Sequence, residues 1–422
     1  MRSFRAFPAM AAATVLMSAL CAGQAPAAAP QGRVDVDAAT AERLDDAVTA
    51  AMEKADIPGV SVGLWFDGRG SYERSFGVSD TATKIPMKTD LFTRIGSVTK
   101  TFTVTGVLQL VDEGKLALDD PVSRHLDGVP GGDRITIRQL ADMRSGLFNY
   151  TEDKAWLAEF QADPTRSWTP RELLDIAFRH PAEFPPGTRW EYSNTNTVIL
   201  GLLVEKLSGQ SLAAYLRDHV LDPAGLDDTA FPTGAEIPSP YAHGYTDFTP
   251  GGKVADASLW NPSWGWAAGA MTSTLDDLRT WVPVLTSGKL PDGERLLEPG
   301  TQADRMRALP TGHPGVGYGL GIADINGWVG HNGELPGYET IAARLPQDGA
   351  VLVVIVNSDI DKGTGSLSTL IGKTVTEIAT PDHPWSLPAA AQPNVSPDAT
   401  PPATGTQTPQ TSPQTPPKPS GS

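Results

Sequence analysis

The sequence predicts an α/β fold in which both ends of the domain form one antiparallel sheet, flanked by helices, with a mostly helical inserted subdomain. Near the start, segments 59–66 and 71–78 flank the turn sequence DGRG, which is the pattern of a β-hairpin. Near the end, segments 339–345 and 350–356 flank PQDG in the same way. Between these hairpins the apolar residues recur at helical spacing, which predicts that the insertion is helical.

Two helices of the insertion are predicted from their apolar faces and their ends. Apolar positions between residues 104 and 111 share one face of the first helix, which Gly114 would end. The second helix is predicted over 198–207 and would end before Gly209.

The composition is that of an acidic globular protein. The chain has 422 residues, 40% of them hydrophobic, which is enough for one large core or two smaller ones. A formal net charge of −16 disfavours nucleic acid and anionic membrane surfaces as partners, because like charges repel. The sequence leaves the oligomeric state open.

The first 29 residues have the order of a secretory signal peptide. Arg2 and Arg5 precede an apolar run from about residue 9 to residue 22, and small residues follow at 25–27. The run is too short to span a bilayer comfortably, so we expect cleavage, no stable membrane span, and a secreted or cell-envelope location. The alternatives are lipidation of Cys21, the only cysteine, and a buried N-terminal helix.

The last segment, residues 382–422, is rich in Pro, Thr, Ser and Gln. Such a segment cannot bury enough apolar surface to offset its ordering entropy, which predicts a disordered tail. The globular domain is therefore expected to span residues 30–381.

The first candidate for chemistry is Ser97 with Lys100, in the stretch IGSVTK. In a helix that begins near Ser97, Lys100 shares the face of the serine and its amine can reach the serine oxygen. A serine hydroxyl is a poor nucleophile until a neighbouring group takes its proton, which a lysine can do. The alternative is a helix-capping serine beside a solvated lysine.

The second candidate is the stretch WEYSNTNTV, in which Tyr192 and Asn194 can face the same side. To act as a base at neutral pH, Tyr192 would have to lose about three pKa units, and Lys100 is the expected cause of that shift. The alternative is a half-buried tyrosine beside an Asx-turn.

The third candidate is the stretch WVGHNGELPGYET, where His331 and Gly333 are expected to follow a short strand. Gly333 would let a substrate backbone approach closely, and His331 could supply charge or a hydrogen bond. The backbone N–H of Glu334 could join that of Ser97 as an oxyanion hole. The alternative is a turn histidine without a role.

The order of these three motifs resembles that of the penicillin-recognising serine hydrolases. In the class C β-lactamase and D-alanyl-D-alanine carboxypeptidase branch, the motifs are Ser-x-x-Lys, Tyr-x-Asn and Lys-or-His-Thr-Gly. Further similarity extends from about residue 58 to residue 357, including RSGL at 144–147 and AAGAMTST at 267–274.

The resemblance implies a β-lactamase/transpeptidase-like fold with a cleft between sheet and helices, and hydrolysis through an acyl-serine without cofactor or metal. Ser97 is then the nucleophile and Lys100 its proton partner. Tyr192 is the expected general base and leaving-group acid, with neutral Lys100 as the alternative base. Asn194 would contact the substrate amide, and His331 would lie on the strand at the edge of the cleft.

Three positions qualify the resemblance. Trp264, in NPSWGWAAG, resembles an aromatic residue that walls the cleft, with a core tryptophan as the alternative. Asn332 and Glu334 stand where the carboxypeptidases commonly have threonine. If Glu334 pointed into the cleft, a substrate carboxylate about 5 Å away would meet a repulsion of about 3 kcal/mol at an effective dielectric near 20. We therefore expect esters or neutral-ended amides to be preferred over penicillins and free D-Ala-D-Ala peptides.

The sequence thus predicts an exported serine hydrolase that acts on an amide or ester of a small molecule or a peptidoglycan-type peptide. A D-alanyl-D-alanine carboxypeptidase and an esterase are the alternatives within this class. In a different class, the chain would be a non-catalytic penicillin-binding or cell-wall protein on the same fold.

Overall fold

The computed structural model describes residues 31–33 and 35–388, and its largest element is an eight-stranded antiparallel sheet. The strands of the described chain, including short pairs outside the sheet, are β1 Gly59–Phe66, β2 Gly70–Gly77, β3 Thr93–Arg94, β4 Tyr245–Thr246, β5 Ala255–Asp256, β6 Thr272–Ser273, β7 Leu309–Pro310, β8 Val316–Tyr318, β9 Ala323–Ile325, β10 Trp328–Leu335, β11 Tyr338–Leu345 and β12 Ala350–Val356. The strand order in the sheet is β2-β1-β12-β11-β10-β9-β8-β7. The α/β fold class with an antiparallel sheet is confirmed.

The sheet joins the two ends of the domain through β1 and β12. These strands pair antiparallel from Val60 opposite Val356 to Phe66 opposite Ala350. Both predicted hairpins are present, since β1 pairs with β2 and β11 pairs with β12. β12 has the sequence AVLVVIV and is buried along its whole length, as expected of a central strand covered on both faces.

Helices cover both faces of the sheet. In chain order they are α1 Ala38–Ala55, α2 Thr99–Asp112, α3 Ile137–Ala141, α4 Lys154–Ala162, α5 Pro170–Ala177, α6 Asn194–Ser208, α7 Leu212–Leu216, α8 Asp222–Ala224, α9 Leu275–Ser287, α10 Pro299–Met306 and α11 Leu367–Ala379. α1 and α11 pack together on one face, in a core that includes Val62 and Val354. α2, α6 and α9 share the core of the other face with Val353 and Ile355.

The two predicted helices of the insertion are present, and both begin earlier than their apolar pattern indicates. α2 ends at Asp112, just before Gly114 with its φ of 69°. α6 runs from Asn194 to Ser208, with Gly209 at φ 74° as its C-cap. Their N-terminal turns carry polar residues of the candidate site, which is why hydrophobic periodicity misses them.

The expected domain end at residue 381 is too early. Trp385 is only 1% exposed and packs in the core beneath α11, where its backbone N–H donates to Thr376 Oγ1 at 2.7 Å. The indole Nε1 of Trp328 donates to the carbonyl of His383 at 2.7 Å. The Pro-rich composition of this segment gives no sign of Trp385, and the folded unit includes this tryptophan.

The expected signal peptide and most of the expected tail lie outside the described residues. Within the described ranges, no helix combines the length and apolar character needed to cross a membrane.

Candidate active site

Ser97 lies in a 3-10 turn, Gly96–Val98, that leads directly into α2. Gly96 takes a φ of 50°, a left-handed conformation that favours glycine and turns the chain sharply before the helix. The Ser97 side chain is buried, with 5% exposure, so its hydroxyl is partly shielded from water. The helix start thus presents a fixed, poorly solvated serine oxygen.

Lys100 lies one helical turn after Ser97 and is completely buried. Its Nζ is 3.0 Å from Ser97 Oγ, 2.7 Å from Asn194 Oδ1 and 2.7 Å from the carbonyl oxygen of Ala268. Burial holds the pKa of Lys100 well below its usual range, because the ammonium is desolvated and its neighbours carry no charge.

A neutral Lys100 amine matches these three neighbours. The carbonyl oxygens of Asn194 and Ala268 can only accept, so they take the two N–H bonds of the amine. The remaining lone pair then meets the hydroxyl of Ser97, which donates to it. This arrangement is that of a general base ready to take the serine proton.

Tyr192 contacts the same serine oxygen. Its hydroxyl donates to Ser97 Oγ at 2.8 Å, and Lys100 Nζ lies 4.8 Å from the centre of its ring. The expectation that Lys100 lowers the pKa of Tyr192 is wrong: burial and the charge of Glu334 raise it above its usual range. Tyr192 therefore holds its proton in the free protein and is suited to act as an acid.

The backbones of Gly96 and Gly333 approach too closely for any side chain at either position. A Cβ at Gly333 would lie 2.0 Å from the carbonyl oxygen of Ile95 and 2.9 Å from Ser97 N. A Cβ at Gly96 would lie 2.6 Å from Glu334 N. The amide groups of Ser97 and Glu334 are therefore neighbours at the serine, as the predicted oxyanion hole requires.

His331 lies within β10, on a strand as the resemblance implied, and does not follow a short strand as the sequence pattern alone indicated. Its Nδ1 is 2.5 Å from the carbonyl oxygen of Asn332, and its Nε2 is 3.0 Å from the hydroxyl of Tyr318. Burial lowers the pKa of His331 to about 3, and Lys100 acts in the same direction whenever it is protonated. His331 is thus a neutral group whose two ring nitrogens are both hydrogen-bonded away from Ser97.

Asn194, the first residue of α6, joins the two candidate motifs. Its Oδ1 accepts from Lys100, its Nδ2 donates to Thr151 Oγ1 at 3.3 Å, and its backbone N–H donates to Asn149 Oδ1 at 3.1 Å. The expected contact with a substrate amide remains a prediction. The described contacts assign Asn194 to the orientation of Lys100.

Trp264 packs as a core tryptophan, the alternative that the sequence left open, and its role as a wall of the substrate cleft stays a prediction. It is 6% exposed, its ring lies 5.3 Å from that of Phe160, and its carbonyl oxygen accepts from the hydroxyl of Tyr150 at 2.5 Å. It also lines a cavity of about 10 Å³ together with Trp260 and Leu335, directly after Glu334 on β10. The cavity is large enough for one water molecule.

The side chain of Glu334 does not project toward Ser97, contrary to expectation. Side chains alternate along a strand, so the contact of Gly333 with Ser97 leaves Glu334 on the opposite face, paired with Glu339 of β11. Burial and the carboxylates of Glu339, Asp359 and Asp361 hold the pKa of Glu334 well above its usual range. The backbone of Glu334 borders Ser97 Oγ. Its carboxyl belongs to an acidic group, formed with Glu339 and Asp359, on the face of β10 opposite Ser97.

Sequence reasoning missed two groups that the structure brings to the site. Tyr318 lies in the stretch GYGLG, which the sequence analysis does not single out. The carbonyl of Ala268 lies in the stretch AAGAMTST, which was singled out for similarity and not for chemistry. A backbone acceptor carries no residue-type signal, whereas a tyrosine thirteen residues before His331 would have been a reasonable candidate partner.

The family model described as Beta-lactamase matches residues 44–375. The D-stereospecific amidohydrolase from Streptomyces sp. is similar in structure, with a TM-score of 0.70 and 32% identity over 81% of this chain and 98% of that chain. The D-amino acid amidase from Ochrobactrum anthropi SV3, complexed with D-phenylalanine, has a TM-score of 0.70 and 28% identity over 80% of this chain and 98% of that chain.

A sequence relative is Protein flp from Staphylococcus aureus strain MW2, which is 28% identical over 329 residues. The match covers 75% of this chain and 63% of that protein, so the chain spans less than two thirds of this relative.

Proposed function

The chain belongs to the beta-lactamase family of serine hydrolases, and we propose that it hydrolyses amides of D-amino acid derivatives through an acyl-serine intermediate. The observation that carries this proposal is the hydrogen-bonded array of Tyr192, Ser97 and Lys100 beside two backbone N–H groups. The D-stereospecific amidohydrolase and the D-amino acid amidase that it resembles in structure support the choice of substrate class.

In the acylation step, Lys100 Nζ takes the proton of Ser97 as Oγ attacks the substrate carbonyl carbon. The carbonyl oxygen gains negative charge and is bound by the backbone N–H groups of Ser97 and Glu334. When the C–N bond breaks, the Tyr192 hydroxyl donates its proton to the leaving nitrogen, and the protonated Lys100 restores it. Water then takes the place of the amine. Lys100 removes a proton from the water as it attacks the acyl carbon, the bond to Ser97 Oγ breaks, and Tyr192 returns a proton to Oγ.

The acidic group behind β10 supports a substrate whose leaving group bears no carboxylate. Glu334, Glu339 and Asp359 lie together there, and burial raises the pKa of Asp359 to about 7. These groups lie on the face of β10 opposite Ser97, so a carboxylate on the leaving group would be repelled across the strand by those of them that are ionised. An amide that releases ammonia or a small amine avoids this cost, which favours an amidase over a D-alanyl-D-alanine carboxypeptidase.

We also propose that the protein is exported and works outside the cytoplasm or in the cell envelope. The support is the order of the first 29 residues, with early arginines, an apolar run and small residues. Edman sequencing of protein from the culture medium should give a start near residue 28, and a start at Met1 would contradict export.

A panel of substrates at equal concentration tests the proposed activity. We expect D-phenylalanine amide to be hydrolysed faster than L-phenylalanine amide, a diacetylated Lys-D-Ala-D-Ala peptide and benzylpenicillin. Intact mass should detect an acyl adduct with a p-nitrophenyl ester as well, because the same array activates Ser97. The Ser97→Ala variant is the control and should form no adduct. Faster release of D-alanine than of ammonia would show a carboxypeptidase instead, and faster ester turnover than amide turnover an esterase.

A further inference from the structure

Tyr318 makes a hydrogen bond to the histidine of the third motif from a different strand of the sheet. It lies at the end of β8 and is buried, and its hydroxyl is 3.0 Å from His331 Nε2. The two rings meet edge to face, with centroids 5.8 Å apart. β8 and β10 are separated by β9, so this contact crosses over an intervening strand.

The neighbours of His331 fix which ring nitrogen carries the proton. The carbonyl oxygen of Asn332 can only accept, so Nδ1 must be the donor of their hydrogen bond. In the neutral ring Nε2 is then an acceptor, and the hydroxyl of Tyr318 donates to it. Protonation of Nε2 would place two donors face to face unless the tyrosine hydroxyl turned away.

Groups from several other elements surround His331 and Tyr318. Lys100 of α2 lies close enough to lower the pKa of His331 whenever it is protonated, and the ring of Tyr192 is 6.2 Å away. Behind Tyr318, the carboxyl of Asp142 is 5% exposed, and its Oδ1 has no hydrogen-bond partner among the described residues. Burial of Tyr318, together with the charge of Asp142, keeps the pKa of Tyr318 well above its usual range, so its hydroxyl remains a donor.

We propose that Tyr318 is a specificity-determining positioning residue, which holds His331 as an uncharged Nδ1–H imidazole and so removes a cation from the substrate cleft. A protonated His331 would attract a substrate carboxylate, whereas a neutral one does not. The inference rests on the proposed preference for substrates without a carboxylate on the leaving group. It names Tyr318 as the residue that keeps His331 uncharged, and His331 lies on the face of β10 opposite the acidic group of Glu334, Glu339 and Asp359.

The protonation state can be measured without any substrate. In protein labelled with ¹³C and ¹⁵N in histidine, we expect the His331 resonances, assigned with His331→Gln, to show the Nδ1–H tautomer and no titration between about pH 5 and pH 8. In Tyr318→Phe, Nε2 loses its donor, and we expect titration to move into that range. Tyr72→Phe is the matched control, because Tyr72 is equally buried and its hydroxyl donates to Asp45 far from His331.

A second readout is the choice between substrates. In Tyr318→Phe, the ratio of kcat/KM for benzylpenicillin to that for D-phenylalanine amide should rise about tenfold at pH 5 and stay unchanged at pH 8. Tyr72→Phe should leave the ratio unchanged at both pH values.

An Nε2–H tautomer or titration near pH 6.5 in the unmodified protein would overturn the inference, even if Tyr318→Phe failed to fold. If Tyr318→Phe folds and its His331 resonances do not titrate between about pH 5 and pH 8, the inference is overturned as well. If the proposed amidase activity is absent but the resonances behave as expected, the substrate assignment fails and the role of Tyr318 in fixing His331 stands.

Discussion

Asn194 Oδ1 lies 2.7 Å from Lys100 Nζ, so the second motif of the chain orients the base of the first. The contact spans 94 residues of sequence and joins the start of α6 to the first turn of α2. Because Asn194 accepts without carrying charge, it directs the amine while leaving the neutral form of Lys100 favoured.

The first prediction replaces this neutral acceptor by a charged one of the same shape. In Asn194→Asp, a carboxylate next to Nζ should raise the pKa of Lys100 by about one to three units, since it stabilises the ammonium. The acidic limb of kcat/KM should shift to higher pH by the same amount, with lower activity at neutral pH. Asn149→Asp is the control, because that side chain meets the backbone of Asn194 and not the amine. An unshifted limb would show that Lys100 is not the base.

The second prediction concerns the pH profile of the unmodified protein on a neutral substrate. Lys100 is active as a base only when deprotonated, so kcat/KM should fall as pH decreases through its lowered pKa. His331, with its pKa near 3, should contribute no limb around pH 6.5. Tyr192 should remain protonated to above pH 10, because its pKa is raised. A limb near pH 6.5 that disappears in His331→Gln would contradict this assignment.

The third prediction separates the two proton-transfer groups. Tyr192→Phe should slow amide hydrolysis about a hundredfold or more, because the leaving nitrogen needs a proton, while a p-nitrophenyl ester should lose much less. The comparison uses kcat for both substrates, with acyl-enzyme followed by intact mass. Equal losses on amide and ester would instead make Tyr192 the base for the attack of Ser97.

Sequence alone predicted the parts of the site that depend on local spacing. The one-turn separation of Ser97 and Lys100 and the glycine required at 333 follow from helix and strand geometry. The protonation states do not follow from spacing, because they depend on burial. Tyr192 was expected to have a lowered pKa, and desolvation instead raises it.

Strand register explains the other difference between expectation and structure. Gly333 and Glu334 are adjacent in the sequence, and both are predicted from it to border the substrate. A strand turns successive side chains to opposite faces, so the contact of Gly333 with Ser97 commits Glu334 to the side of Glu339. The sheet, by contrast, could be predicted well, because both hairpins carry their own turn signals.

The fourth prediction concerns the C-terminal boundary. A chain ending at residue 381 lacks Trp385, which is 1% exposed and packed in the core beneath α11. Removing a buried tryptophan costs about 3–5 kcal/mol, so this truncation should lower the urea midpoint and Tm clearly. A chain ending at residue 388 is the matched control and should unfold like the full protein. Equal stability of the two truncations would show that Trp385 contributes nothing.

The last prediction concerns the acidic group behind the oxyanion strand. The carboxylate of Glu339 accepts from Leu367 N at 3.0 Å and Ser368 N at 2.8 Å, at the N-terminus of α11. That of Asp359 accepts from Gly337 N at 3.1 Å, and the pKa of Asp359 is raised to about 7. Asp359 therefore ionises around neutral pH, so this side of β10 gains negative charge as the pH rises through about 7.

Substrates with a carboxylate on the leaving group should therefore become relatively worse as pH rises. We expect the ratio of kcat/KM for a D-Ala-D-Ala peptide to that for D-phenylalanine amide to fall about tenfold between pH 6 and pH 9, because each new charge repels the substrate carboxylate. Asp359→Asn should flatten this dependence, since its amide cannot ionise. Glu377→Gln, on the exposed side of α11, is the control and should leave it unchanged. A ratio that does not change with pH, or the same slope in Asp359→Asn, would show that the ionisation of Asp359 has no influence on the choice of leaving group.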